Sequence, residues 1–123
     1  MPLSVLVLFT ASMNLSVLNL PPGILEIPPD PKEIWIDALA DCESSASSTI
    51  KVMDTNGKYS RGMFQFQMGT WLSYGKKFGA TTQNIYDADL QREVAKSMLD
   101  NGGSGHWYNC SKKVSAKLGE YPI

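Results

Sequence analysis

This chain of 123 residues lacks an excess of positive or negative charge. It carries 11 Lys and Arg against 12 Asp and Glu, which leaves a net charge of −1 at pH 7. Without a basic field, neither nucleic acid nor an acidic membrane surface is favoured as a partner. The remaining composition, 43% hydrophobic and 19% charged, is ordinary for a soluble globular protein. We therefore expect one domain with a real core, a monomer, and no nucleic-acid partner.

Histidine is also scarce, which limits metal and nucleophilic chemistry. His106 is the one histidine, and no Cys/His cluster has the spacing of zinc ligands. The stretch "DTNGK" at 54–58 resembles the start of a calcium loop but lacks its later ligands. Neither a G-x-S-x-G motif nor a phosphate-binding glycine loop is present. The sequence predicts no metal and no cofactor, and His106 is interpreted as structural or surface-lying.

Positive charge is missing from the N-terminus, "MPLSVLVLFTASMNLSVLNL". No Lys or Arg precedes the apolar run at 3–9, so the segment lacks the basic region of a signal peptide. An atypical export signal, a membrane anchor and a tail packed on the domain all stay open. Five prolines follow within "NLPPGILEIPPDPKE", a composition typical of a stiff linker. We predict that residues 1–30 form this segment and linker, and that residues 31–123 form the domain.

The first helix is predicted at the end of the linker. Asp30 can cap it, and Pro31 suits its first position. Apolar residues then recur at spacings of three and four: Ile34, Trp35, Ala38, Leu39 and Cys42. Glu43 falls at the C-terminal end of this apolar face.

The rest of the chain predicts a mainly α fold, or α+β with at most a small hairpin. Turn signals and β-formers in 50–66 favour a loop or small hairpin, and "QMGTWLSYGKKFG" favours a short helix. Asp87 can cap a further helix. The residues expected to face inward from the last two helices are Leu90, Val94 and Met98, and then Val114 and Leu118.

The sequence places aromatic and amide residues that could surround Glu43, and such residues suit acid catalysis on a sugar. The segment 62–66, "GMFQF", offers an apolar wall and the amide of Gln65. A carboxyl group against apolar walls has a raised pKa and can donate a proton near neutral pH. The flat rings available to stack on sugars are Tyr59, Trp71, Tyr74 and Trp107. The competing interpretation is that Glu43 is a solvated residue after a helix.

The two cysteines, Cys42 and Cys110, lie far apart in the sequence. In an oxidising compartment they could pair, and otherwise they would be two separate buried thiols.

Several motifs in order resemble a known family. "IWIDALADCESS", followed by "NGKYSRGMFQFQMGTWLSYGKK", resembles the transglycosylase-like domain of resuscitation-promoting factors, in the lysozyme-like superfamily. Further on, "LQREVAKSMLDNGGSGHWYNC" resembles that family's last helix and its Trp-x-x-Cys ending. The positions that carry the resemblance are Trp35, Leu39-Ala40, Cys42-Glu43-Ser44, Asn56-Gly57, Tyr59, Gly62, Gln65-Phe66 and Thr70-Trp71.

The resemblance implies a lysozyme-like fold, Glu43 as general acid and a disulfide between Cys42 and Cys110. It also implies peptidoglycan glycan strands as substrate, and a secreted or cell-envelope location. The chain would then be a lytic transglycosylase or a lysozyme-type muramidase. It departs from the family pattern in the length and composition of the segment between Glu43 and Asn56, at Gly-Met-Phe-Gln in place of Gly-Gly-Leu-Gln, and in the 13 residues that follow Cys110.

A second carboxylate is harder to find, although most glycosidases use two. Asp41 lies two residues from Glu43, so the two point apart on a helix. Ser60 stands where animal-type lysozymes have an aspartate. Asp54 is on the same loop, either as a second carboxylate or as a turn-forming residue. We therefore favour a single-glutamate mechanism at the MurNAc–GlcNAc bond, with hydrolysis and a 1,6-anhydro product both open.

The predicted substrate contacts follow from this mechanism. Gln65 and Ser60 would orient the N-acetyl group or a water, while Tyr59, Trp71 and Trp107 would line the groove. For the two tryptophans the alternative is a place in the core. For the whole chain the alternative is a catalytically inactive wall-binding or signalling module.

Overall fold

The computed structural model describes residues 27–123, and within them it is mainly helical with one small sheet. The helices are α1 (Pro31–Ser44), α2 (Met68–Gly75), α3 (Ala88–Asp100) and α4 (Tyr108–Leu118), with 3₁₀ turns at Lys76–Phe78 and Gly103–Trp107. The strands are β1 (Lys51–Met53), β2 (Tyr59–Arg61) and β3 (Phe66–Gln67). The predicted fold class, a mainly α lysozyme-like fold, is confirmed.

The predictions for the N-terminal apolar segment and for most of the proline-rich linker lie outside the described residues. The proposed division at residue 30 therefore stays a prediction. Within 27–123, no helix has the length and apolar character needed to cross a membrane.

Helix α1 begins and ends where its capping residues place it. The Asp30 carboxylate accepts a hydrogen bond from the backbone N–H of Lys32 at 2.9 Å, and Pro31 is the first helical residue. At the other end Ser45 adopts a left-handed conformation, and its N–H turns back onto the carbonyls of the last turn. The face that packs into the core consists of Trp35, Ile36, Leu39 and Ala40.

The sheet is antiparallel in the order β1-β2-β3. Ser60 in β2 lies opposite Val52 on one side and Gln67 on the other. The loop 62–65 connects β2 to β3, and β3 leads directly into α2.

Helix α3 carries a polar residue on its buried face. The Asp87 side chain caps the helix at the N–H of Leu90, and Val94 and Met98 are buried as predicted. Between them and the cap lies Gln91, which is completely buried. Its amide donates to the carbonyls of residues 61 and 85, and its oxygen accepts from the N–H of Phe64 at 2.8 Å. Buried polar groups need such partners, so Gln91 fixes the loop before β3 on α3.

Helix α4 is tied to α1 by the disulfide between Cys42 and Cys110, whose Cα atoms are 5.8 Å apart. On the chain-entropy account, closing a loop of 68 residues stabilises the fold by about 4 kcal/mol. Val114 of α4 is buried, but Leu118 is 49% exposed, so its predicted inward position is wrong. Tyr121, which follows α4, is buried and packs against Trp35.

Candidate active site

A cavity of about 470 Å³ opens between the end of α1, the sheet and the start of α4. Its lining combines carboxylates, amides and aromatic rings: Glu43, Asp54, Ser60, Gln65, Phe66, Gln67, Thr70, Gly105, His106, Trp107, Tyr108 and Asn109. Of the predicted site residues, it brings together Glu43, Ser60, Gln65 and Trp107.

Glu43 lies in the last turn of α1, and its neighbours on both sides are anchored. Cys42 is bonded to Cys110 at the start of α4. The Ser44 hydroxyl lies 2.8 Å from the carbonyl oxygen of Met63, to which it donates. The helix end that carries Glu43 is therefore fixed to α4 and to the loop 62–65.

Burial, followed by the negative charge of Asp54, raises the pKa of Glu43 from its ordinary value of 4.5 to about 7. At the C-terminal end of a helix, the helix dipole disfavours a carboxylate as well. Glu43 is therefore a group that can hold and release a proton near neutral pH.

The loop opposite Glu43 adopts an uncommon backbone conformation. Gly62 has φ +79° and Gln65 has φ +55°, which is unusual for a residue with a side chain. The Gln65 amide nitrogen donates to the carbonyl of Gly62 at 3.0 Å. This contact holds the side chain in the cavity wall and leaves its carbonyl oxygen for another partner. Strain of this kind is often retained at functional sites.

Asp54 forms a turn, one of the two roles suggested by its sequence position, and it also lines the cavity. Its backbone forms a turn, with its N–H donating to Lys58 and its carbonyl accepting from Gly57. Its side chain enters the cavity, where one carboxylate oxygen accepts from the hydroxyl of Ser60 and from the amide of Gln67.

The aromatic residues that were predicted to line the groove differ in their positions. Trp107 lines the cavity but is only 5% exposed, and its N–H donates to the Phe64 carbonyl, so it is both wall and core. Trp71 is completely buried and donates to the Thr81 carbonyl. It cannot contact a glycan, and the core alternative is the right one.

Tyr59 also lies outside the cavity lining. It is adjacent to Ser60 in β2, and neighbouring side chains in a strand point to opposite faces. Because Ser60 faces the cavity, Tyr59 faces away from it. Its ring contacts the Lys51 ammonium, which is 4.4 Å from the ring centroid.

Sequence reasoning missed Gln67, Gln91, Tyr108 and the cavity-facing position of His106. The sequence could have indicated the buried position of Gln91, because this polar residue lies three residues before Val94 on the apolar face of a helix. No sequence pattern indicated that Gln67 lines the cavity, since its position depends on strand register. His106 packs edge-on against Tyr74, with ring centroids 4.9 Å apart. Within residues 27–123, no group of three His, Cys, Asp or Glu side chains is placed to bind a metal ion.

Comparison with known families agrees with this arrangement. The family model described as "Transglycosylase-like domain" matches residues 31–110. The chain belongs to this family. No curated protein and no solved structure matches it.

Membership supports the lysozyme-like transglycosylase resemblance and the interpretation of the chain as a peptidoglycan-cleaving enzyme of the lytic transglycosylase type. The match begins at the first residue of α1 and ends at Cys110. It therefore includes every residue that lines the cavity. Helix α4 continues beyond the match, and Tyr121 after it is buried.

Proposed function

We propose that this transglycosylase-like domain cleaves the glycosidic bond between MurNAc and GlcNAc in peptidoglycan, with Glu43 as the single carboxylate that bond cleavage requires. The observation that carries the proposal is the position of Glu43. Its carboxyl group is sheltered in an open cavity, has a pKa of about 7, and shares the cavity with Gln65 and Trp107.

The proposed reaction begins with a proton transfer. Glu43 gives its proton to the glycosidic oxygen, and the bond from this oxygen to C1 of MurNAc breaks. Positive charge develops at C1, and the N-acetyl group of the same sugar can stabilise it. The substrate's 6-hydroxyl then attacks C1, and ionised Glu43 accepts its proton. This route needs no second carboxylate and yields a 1,6-anhydro sugar.

Other groups in the cavity would orient the sugar. The free carbonyl oxygen of Gln65 can accept a hydrogen bond from the N-acetyl N–H, since its amide nitrogen is engaged with Gly62. Tyr108 is 63% exposed at the cavity and offers a ring face for stacking. A polysaccharide of the cell wall and a disulfide both agree with an extracytoplasmic location.

The test is digestion of purified peptidoglycan by the wild type and by Glu43→Gln. The substitution keeps the size of the side chain but removes the transferable proton, so we expect the release of muropeptides to fall by at least a hundredfold. Asp41→Asn is the matched control, because Asp41 is an exposed carboxylate on the same helix and lies outside the cavity. It should retain wild-type activity.

Equal release by the wild type and by Glu43→Gln would overturn the proposal. Binding of peptidoglycan by both proteins without any release would point to an inactive wall-binding module.

A further inference from the structure

A second carboxylate shares the cavity with Glu43, and the reaction described above does not use it. Asp54 lines the same cavity, and its charge is close enough to contribute to the raised pKa of Glu43. A turn at this position does not need a carboxylate, because its hydrogen bonds to Lys58 and Gly57 are made by the backbone. The turn therefore does not account for the carboxylate of Asp54.

The two oxygens of this carboxylate have different surroundings. Oδ2 accepts from the Ser60 hydroxyl and, at 2.7 Å, from the Gln67 amide. Gln67 is itself held by Asn56, whose amide nitrogen donates to it at 3.1 Å. Oδ1 accepts no hydrogen bond from any residue in 27–123. One oxygen is thus fixed in place, and the other is left to receive a proton.

Ser60 offers a second hydrogen-bonding group beside Oδ1 of Asp54. Its side chain lines the cavity, although only 5% of the residue is exposed. Because the hydroxyl hydrogen is directed at Asp54, the lone pairs of Oγ are available as acceptors. A water between Oδ1 of Asp54 and Oγ of Ser60 would therefore have two acceptors for its hydrogens, with its own lone pairs free to attack.

We propose that Asp54, with Ser60, holds and deprotonates a water that attacks C1 of the MurNAc residue, so that this enzyme hydrolyses peptidoglycan in addition to forming anhydro product. The proposal rests on the function proposed for Glu43. Glu43 protonates the leaving oxygen as the C1–O bond breaks, the water oxygen bonds to C1, and the water's proton passes to Oδ1 of Asp54. Acid and base thus come from two carboxylates, as in many glycosidases.

The experiment is mass spectrometry of the muropeptides released by the wild type and by Asp54→Asn. Hydrolysis adds one water to each cleaved bond, whereas the internal attack adds none, so the two products differ in mass. The asparagine preserves the backbone turn and can still accept from Ser60 and Gln67, but it cannot take up a proton. We expect the rate of hydrated product formation to fall at least tenfold, while the anhydro product persists. Ser60→Ala should lower the hydrated product in the same direction.

Asp41→Asn is again the matched control and should leave the ratio of the two products unchanged. An unchanged ratio in Asp54→Asn, or a wild type that releases anhydro product alone, would overturn this proposal while leaving the role of Glu43 intact. Failure of the role of Glu43 is recognised separately, by Glu43→Gln releasing as much product as the wild type. Circular dichroism of each variant verifies that it is folded.

Discussion

The carboxyl group of Glu43 is stable as a neutral acid for reasons that lie in its immediate surroundings. Burial disfavours its charge first, and the charge of Asp54 adds to this. Ser44 and Cys42 hold it there, since Ser44 is hydrogen-bonded to the loop 62–65 and Cys42 is bonded to α4. A proton donor needs this combination of a raised pKa and a fixed position.

The raised pKa of Glu43 predicts a specific dependence of stability on pH. The unfolded chain releases the proton near pH 4.5 and the folded chain near pH 7. Between these values the folded state binds more protons, so the free energy of unfolding falls as the pH rises. The contribution at stake is about 1 to 3 kcal/mol, since the side chain is partly solvated.

Urea denaturation at pH 4.5 and pH 8 measures this effect. Glu43→Gln has no proton to lose, so its free energy of unfolding should not depend on residue 43 at either pH. We therefore expect the wild type to lose about 1 to 3 kcal/mol more than Glu43→Gln between pH 4.5 and pH 8. Asp41→Asn should follow the wild type. If the wild type and Glu43→Gln lost equal stability between the two pH values, Glu43 would have an ordinary pKa in the folded protein.

At the scale of elements, the cavity depends on how the loop before β3 packs against α3. Gly62 lies directly on Gln91, so that a Cβ atom built on it would come within 2.4 Å of the Gln91 amide nitrogen. Gln91 in turn holds the backbone of residues 61 and 64. The spacing between this glycine and the buried amide therefore sets the position of the loop that carries Gln65.

Gly62→Ala and Gly57→Ala form a matched pair that tests this packing. Both glycines have φ near +80°, so alanine costs each about 1 to 2 kcal/mol in backbone strain. Nothing lies within 4 Å of a Cβ atom at Gly57, whereas at Gly62 the Gln91 side chain must move. We expect Gly62→Ala to lose about 1 to 3 kcal/mol more than Gly57→Ala in chemical denaturation, because overpacking of a filled site adds to the strain. Equal losses would mean that Gln91 moves aside without cost.

The sequence predicted elements better than it predicted which side chains meet. The caps at Asp30 and Asp87, the helices they begin and the place of Glu43 at the end of α1 follow from local patterns, which depend on neighbouring residues alone. Trp71 and Trp107 could not be told apart, since aromatic composition does not reveal which ring faces a cavity. The contact between Asp54, which follows β1, and Gln67 in β3 depends on how three short strands pair, and their sequences do not display this register.

At the scale of the whole molecule, the C-terminal tail packs against α1 and α3. The Trp35 indole donates to the Gly119 carbonyl at 2.9 Å. Tyr121 packs edge-on against the same indole, with centroids 5.5 Å apart, and its hydroxyl donates to Asp100 at 2.7 Å. Tyr121 thereby links α1, α3 and the tail, although the family match ends at Cys110.

Tyr121→Ala should therefore lower stability without altering the chemistry. Tyr121 is 8% exposed, and removing a buried ring with its hydrogen bond costs about 3 to 5 kcal/mol. Ile123→Ala is the control from the same tail, because Ile123 is 87% exposed and should change stability by less than about 0.5 kcal/mol. Neither residue lines the cavity. Below its midpoint of thermal unfolding, Tyr121→Ala should therefore release hydrated and anhydro muropeptides in the wild-type ratio. A changed ratio in the folded variant would mean that the tail acts on the cavity through α1, which carries both Trp35 and Glu43.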